Sequence, residues 1–241
     1  MERITLMNQD LSKFFLVGGC VRDQLLGVPS KDFDFVVLVD SFELMEAEII
    51  KNGGEIFLRK PEFQVIRAKL PNFGAADFAL PRTDGEYKDG RRPDTTQITK
   101  SLYEDSCRRD FTIGAMYKNL ATGEIIDYHN GQRDIENQLI RCVGCAGDRI
   151  REDSLRILRA IRFSITKNFG FDYDLYECLK SDRFTELLRN VSAERIREEI
   201  YKCFKFNTME TLDILREFPL ITKEVFNERT KLWLKPTNEE K

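Results

Sequence analysis

Hydrophobic spacing divides the chain into a first part of mixed character and a second part that is helical. Leu16-Val17, inside the apolar run Phe14-Phe15-Leu16-Val17, reads as a strand that enters the double glycine Gly18-Gly19, and a short helix over 21–26 follows. Further strands are predicted over 33–39, 55–57, 63–70 and 75–80, with a second helix over 42–52. Gly53-Gly54, Pro61 and Pro71-Asn72 separate them as turns. Residues 82–93 carry Gly85, Gly90, Pro93 and several charges without periodicity, and read as an exposed loop. From Ile150 onward strand signals stop, and helices are predicted over 152–166, 173–180, 184–189, 193–204 and 208–217. Ser192 is placed to cap the helix that starts at Ala193. No internal repeat is visible, and the tail after Phe226 is polar and weakly patterned.

A length of 241 residues suits one large domain or two small ones. No apolar run approaches the length of a membrane span, and residues 1–10 lack signal-peptide organisation, which predicts a cytoplasmic protein without membrane attachment. The six cysteines are scattered, as expected there. Cys142-x-x-Cys145 is a lone pair and His129 is the sole histidine, so structural zinc is not expected. The net charge of −3 argues against a protein that coats nucleic acid through bulk positive charge. A polyanionic partner would have to be held by local clusters: Arg91-Arg92, Arg108-Arg109, and the arginines between Arg149 and Arg162. A charged fraction of 33% also fits a well-solvated surface.

The strand period of two puts Asp32 and Asp34 on one face and Phe33 and Phe35 on the other. Two carboxylates so placed repel each other unless a cation sits between them, and a hard, oxygen-seeking ion such as Mg²⁺ is the usual one. The Gly18-Gly19 turn offers backbone amides unobstructed by a Cβ, so phosphate with Mg²⁺ is the chemistry first suggested. A third acid would complete a two-ion site for in-line displacement. Asp77 is the candidate, because an isolated acid has little structural reason to stand in the apolar strand Ala76-Asp77-Phe78-Ala79-Leu80; a strand-edge position or an ion pair with Arg82 is the alternative. Arg108-Arg109-Asp110 offers guanidiniums for phosphate and a carboxylate for ribose hydroxyls, or else a helix N-cap with an ion pair. Asp153, Arg156, Arg159 and Arg162 recur every three residues and would form a ridge on one helix. An acceptor beside a donor matches cytosine and adenine, which present an exocyclic amine next to a ring nitrogen, and mismatches uracil and guanine. The commoner outcome of such spacing is an ion-pair ladder.

Taken in order, Gly18-Gly19-x-Val21-Arg22-Asp23, Asp32-x-Asp34, Arg108-Arg109-Asp110-Phe111-Thr112, Asp127-x-x-x-Gly131-x-x-Asp134, Glu152-Asp153-x-x-Arg156 and Ala193-Glu194-Arg195-Ile196 resemble the motifs of class II tRNA nucleotidyltransferases, the CCA-adding enzymes of the poly(A) polymerase family. The resemblance covers roughly residues 14–202, and the loop over 87–93 looks like the family's flexible loop near the switch from C to A addition. It implies an α+β fold: a polymerase-β-like nucleotidyltransferase head, a mixed sheet with helices, over 1–145; an all-helical neck over 146–204; and a short helical body-like segment over 205–241.

The same resemblance implies that Asp32 and Asp34 bind metal, while Asp77 stays the candidate third catalytic acid on its position in the apolar strand alone. Gly18, Gly19 and Arg22 would meet the triphosphate, and Arg109 and Asp110 the sugar and phosphates. Asp153 and Arg156 would read the base, supported by Arg159 and Arg162, while the Asp127 to Asp134 motif would brace the head against the neck. The activity expected is addition of CMP and AMP from CTP and ATP to the 3′ end of tRNA, with Mg²⁺ as cofactor. Relatives adding only C, only A or a poly(A) tail share most of these motifs, and a non-catalytic RNA-binding module would share the fold. Two departures stand out. Gly114 occupies a position where the family usually has Asn, and the chain stops at Lys241, short of the family's body and tail domains, so tRNA would be held more weakly, differently, or by another chain.

Overall fold

Residues 10–30, 32–87 and 93–232 are described by the computed structural model. Residues 1–9, the loop residues 88–92 and the tail residues 233–241 therefore lie outside the described residues, as does Lys31. The chain falls into two units, one formed by residues up to Gly85 together with Thr95–Asn137, the other by Glu86–Asp94 and the residues from Gln138 onward.

The first unit contains β1 (Phe14–Val17), α1 (Gly19–Leu25), β2 (Phe33–Val37), α2 (Phe42–Lys51), β3 (Glu55–Lys60), β4 (Val65–Leu70), β5 (Gly74–Ala79), β6 (Arg82–Asp84), β7 (Thr96–Ile98), α3 (Leu102–Cys107), β8 (Tyr117–Asn119), β9 (Ile125–Ile126) and α4 (Gly131–Glu136). Among the described residues seven strands form one sheet in the order β3-β4-β5-β2-β1-β8-β9. Its pairs are antiparallel except β2 with β5, which run parallel. Alternation assigns the two faces. Phe35 stacks on Phe78 at 4.8 Å and Phe14 meets Phe78 edge-on, with Met45 and Ile49 of α2 also fully buried. Phe15, Val17, Val36 and Tyr117 pack together from the opposite face, joined by Leu102 of α3. Asp34 is two residues from Val36, so its side chain belongs to this second face.

The second unit contains β10 (Leu139–Ile140), α5 (Ala146–Glu152), α6 (Arg156–Lys167), β11 (Gly170–Phe171), α7 (Tyr173–Lys180), α8 (Asp182–Thr185), α9 (Ala193–Phe206), α10 (Thr208–Glu217) and α11 (Pro219–Val225). Its core is the packing of α6 on α9, where Ile157, Ile161 and Ile165 are buried on one helix and Ile196, Ile200 and Cys203 on the other. Asp172 and Asn207 cap α7 and α10 through their side chains. Ser192 occupies the N-cap of α9 but makes no side-chain capping bond.

Several expectations change. Residues 61–63 form a 3-10 turn, and β4 starts only at Val65, because Gln64 adopts a left-handed conformation at φ 55° that a strand cannot contain. Part of the loop read over 82–93 is strand β6, paired with β7, which has too few residues to show a period. A two-residue strand, β11, lies beyond Ile150 and pairs in parallel with β10. The helix read over 184–189 is α8 followed by a 3-10 segment. Most consequential is the helix read over 152–166. It is broken, with α5 ending at Glu152 and α6 starting at Arg156. Asp153 is extended (φ −143°, ψ 102°), and its Oδ1 accepts the Leu155 backbone N–H at 3.1 Å, a local bond that competes with continuing the helix.

Candidate active site

Gly18 joins β1 to α1 with φ 75° and ψ −131°, a conformation open to glycine. A Cβ at Gly19 would lie 3.3 Å from Arg22 Nη2, so a small residue there lets the buried Arg22 approach the turn. Arg22 is oriented by Asp23, whose Oδ1 accepts from its Nε at 2.9 Å and forms an ion pair with its Nη2 at 2.8 Å. Gly19, Cys20, Arg22, Asp23, Pro29, Ser30, Asp32 and Asp34 line one cleft of about 360 Å³. The α1 helix has only seven residues, too short for a strong helix dipole, so the positive charge facing this part of the cleft is that of Arg22.

Asp32 precedes β2 and Asp34 lies within it, and both are exposed to the cleft. Asp77 stands directly opposite Asp34 in the parallel β2–β5 register, so the two side chains share a face. Its ion-pair partner is Arg67 on β4, at 3.4 Å, while Arg82 pairs with Asp84. Loss of hydration raises the Asp34 carboxyl above its usual range, and the nearby Asp77 and Asp32 push it further in that direction, with Arg109 and Arg67 partly offsetting them. Such a set of acids attracts a cation. Among the described residues no three or more His, Cys, Asp or Glu side chains are grouped to hold an ion unaided. The all-oxygen donors Asp32 and Asp34 nonetheless fit Mg²⁺, which uses one or two carboxylates and completes its shell with water and substrate phosphates. Of the lone cysteine pair, Cys142 is buried and Cys145 exposed.

Arg108 and Arg109 follow the C-terminus of α3, so they are not a helix N-cap. Both bind Asp105, a residue the sequence reading missed. Asp105 Oδ1 accepts from Arg108 Nε and Nη2 at 3.0 and 2.8 Å and from the Arg82 backbone N–H at 3.0 Å. Its Oδ2 accepts from Arg109 Nη2 at 2.9 Å and from the Tyr117 hydroxyl at 2.6 Å. Burial alone raises the Asp105 carboxyl, but the Arg109 and Arg108 guanidiniums, the Tyr117 hydroxyl and the Arg82 N–H outweigh it and hold the group at about 2. Because this lies below the unfolded value of 3.8, the ionised form stabilises the fold above about pH 4 and that contribution disappears as pH falls toward about 2. Roughly 2 kcal/mol is involved. In acid denaturation followed by circular dichroism, the stability gap between the wild type and Asp105→Asn should therefore shrink between pH 4 and pH 2. A gap that stayed constant over that range would contradict the assignment. Asp110 is half-buried in the turn after Arg109.

Asp127 caps the loop before α4, accepting backbone N–H groups of His129, Gly131 and Gln132, and Asp134 accepts from the Thr112 hydroxyl at 2.7 Å. Each of these bonds joins residues of the first unit. A Cβ at Gly114 would meet nothing within 4 Å, so the position departs from the family pattern without a packing reason.

In the second unit the three-residue row does not climb one helix. Asp153 lies in the break between α5 and α6 and does not share a helix face with Arg156, Arg159 and Arg162. Arg195 of α9 donates to Asp153 through Nη1 at 3.3 Å and Nη2 at 2.8 Å. Arg156 is buried and donates to Glu152 Oε2 and to the Arg149 carbonyl, both at 2.7 Å. Arg162 donates to Glu199 at 2.6 Å and its guanidinium lies 4.3 Å from the Phe163 ring centroid. Two residues of α9 one turn apart thus fix both ends of the row, and neither Arg195 nor Glu199 was picked out as a contact. Arg159, half-buried, stands between them on α6.

The family described as "Poly A polymerase head domain" matches residues 14–141, just over half of the chain. The chain is 36% identical over 191 residues to a CCA-adding enzyme of Lactobacillus delbrueckii subsp. bulgaricus, covering 78% of this chain and 45% of that one. It resembles the crystal structure of the Bacillus stearothermophilus CCA-adding enzyme in complex with CTP (TM-score 0.71, 30% identity, 86% of this chain and 48% of that one). It also resembles a tRNA nucleotidyltransferase complexed with a primer tRNA and an incoming ATP analog (TM-score 0.73, 32% identity, 89% and 59%). The chain thus spans less than half the length of the curated relative it matches.

Proposed function

The chain belongs to the poly A polymerase head domain family, and from that premise we propose that it adds CMP and AMP from CTP and ATP to the 3′ end of tRNA, releasing pyrophosphate. The observation that carries the reading is the cleft in which Asp32 and Asp34 meet Arg22 and the glycine turn, with Asp77 in register beside Asp34. In the reaction the RNA 3′-hydroxyl attacks the α-phosphate, one P–O bond forms, and the bond to pyrophosphate breaks. Asp32 and Asp34 would hold Mg²⁺, whose chemistry when bound is to lower the pKa of the attacking hydroxyl and neutralise charge on the leaving group. Asp77 adds a third carboxylate to the same face. Arg22 and Arg109 neutralise the triphosphate, Gly18 and Gly19 let it approach the backbone, and Asp110 accepts from the ribose.

Asp153 and Arg156 read the base, and Arg159 and Arg162 support them. The head, up to about residue 145, supplies the chemistry, and the neck over 146–204 supplies base choice, with the body-like segment over 205–241 following. Relatives of this chain are described with CTP, with an ATP analog and with tRNA, which supports these substrates. No helix among the described residues is long and apolar enough to cross a membrane, and a cytoplasmic setting is part of the proposal.

The test is incubation of tRNA lacking its terminal CCA with each labelled triphosphate in turn. Incorporation from CTP and ATP, and little from UTP and GTP, is expected. Incorporation from one alone would redefine the chain as a CC-adding, A-adding or poly(A)-forming relative. None from either would leave an RNA-binding module on the same fold.

A further inference from the structure

Arg109 carries three guanidinium nitrogens, and two are already engaged. Its Nε donates to the Tyr117 hydroxyl at 3.2 Å and its Nη2 to Asp105 Oδ2 at 2.9 Å. The Tyr117 hydroxyl in turn donates to the same Oδ2 at 2.6 Å, which closes a ring of three side chains. Asp105 and Tyr117 are both fully buried, so this ring cannot relax into water. The third nitrogen, Nη1, points the other way, and a Cβ added at Gly18 would lie 3.9 Å from it. Tyr117 sits opposite Val17 in the β1–β8 register, which places its ring on the sheet face that also carries Asp34 and Asp77. Arg108 binds the other oxygen of Asp105, so two guanidiniums share one carboxylate and the group keeps a net positive charge. A carboxylate placed only for stability would have no reason to leave one guanidinium edge directed at the glycine turn.

We infer that Asp105 is a positioning residue, which with Tyr117 locks the Arg109 guanidinium so that its Nη1 edge meets a polyphosphate at the Gly18-Gly19 turn. This rests on the nucleotidyl-transfer reading for the identity of the phosphate donor, but its geometry does not depend on transfer taking place. Neither residue touches substrate in this role. Both act through Arg109, and that predicts how their effects combine.

The probe is inorganic tripolyphosphate, titrated calorimetrically into the full chain. Tyr117→Phe keeps the ring and its packing and removes one hydroxyl, so it should fold normally and bind about 10-fold more weakly. Asp105→Asn removes the charge that holds both arginines and should weaken binding roughly 100-fold. In an Arg109→Ala background, Tyr117→Phe should have no further effect, because the residue it positions is gone. A folded Tyr117→Phe that binds as the wild type, or one that loses the same factor in the Arg109→Ala background, would overturn the inference. So would a wild type that fails to bind tripolyphosphate. If the binding pattern is as expected but the wild type incorporates no nucleotide, the function proposed above falls and this inference stands. If the wild type incorporates nucleotide but the variants bind unchanged, this inference falls alone.

Discussion

Asp34→Asn is expected to reduce nucleotide incorporation roughly 10³-fold or more while leaving the melting temperature unchanged or higher. The loss follows from chemistry: Asp34 and Asp32 line the cleft as the pair placed to hold a cation, Asp23 there being engaged by Arg22, and a neutral amide holds a hard cation poorly. Charge stabilisation of that kind contributes several kcal/mol at a phosphoryl-transfer centre. The stability side follows from the same geometry with the opposite sign. Asp34 sits in register with Asp77 and close to Asp32, and their mutual repulsion raises its pKa after loss of hydration has done the same. Removing the charge relieves that repulsion in the ligand-free fold. Incorporation assays and thermal melts on one preparation check both halves. A variant that lost activity together with several degrees of melting temperature would assign Asp34 a structural role instead.

Asp153→Asn should relax base choice, raising incorporation from UTP and GTP relative to CTP and ATP by roughly 10- to 100-fold. Asp153 is acceptor-only, and Arg195 fixes its two oxygens at 3.3 and 2.8 Å while Leu155 N–H adds a third donor. An exocyclic amine on cytosine or adenine would complete that set, whereas the carbonyl of uracil or guanine would face an acceptor and leave a buried polar group unpaired. Asn offers a donor as well as an acceptor, so the penalty against the wrong bases falls. Competition assays with paired triphosphates give the ratio directly. An unchanged ratio in an active Asp153→Asn variant would remove Asp153 from base selection.

How much of this could be read before the structure was known depended on distance along the chain. The strand, glycine turn, helix and second strand up to Val37 were legible because their residues are neighbours and their periods are short and regular. Period two alone separated Asp34 from Phe33 and Phe35, and those phenylalanines do pack away from it, edge-on to Phe73. Asp77 was visible as an acid out of place in an apolar strand, but its register with Asp34 was not. Asp105 was invisible for a physical reason: in sequence it is an ordinary acidic residue in the first turn of a short helix, and only Tyr117, twelve positions on, and Arg82, twenty-three before it, make it a buried hub. The row from Asp153 to Arg162 misled because its three-residue spacing runs on across the break between α5 and α6. The residues that fix its ends, Arg195 and Glu199, come from a helix about forty positions later. A motif of Ala-Glu-Arg-Ile marked that helix, but nothing in its local spacing names its partners.

The 3′ ends of a tRNA stripped of its terminal CCA, sequenced after incubation with this chain, Mg²⁺ and all four triphosphates together, test the central claim most directly. The expected ends finish in C-C-A and extend no further; ends left unextended, or extended with U or G, would contradict it.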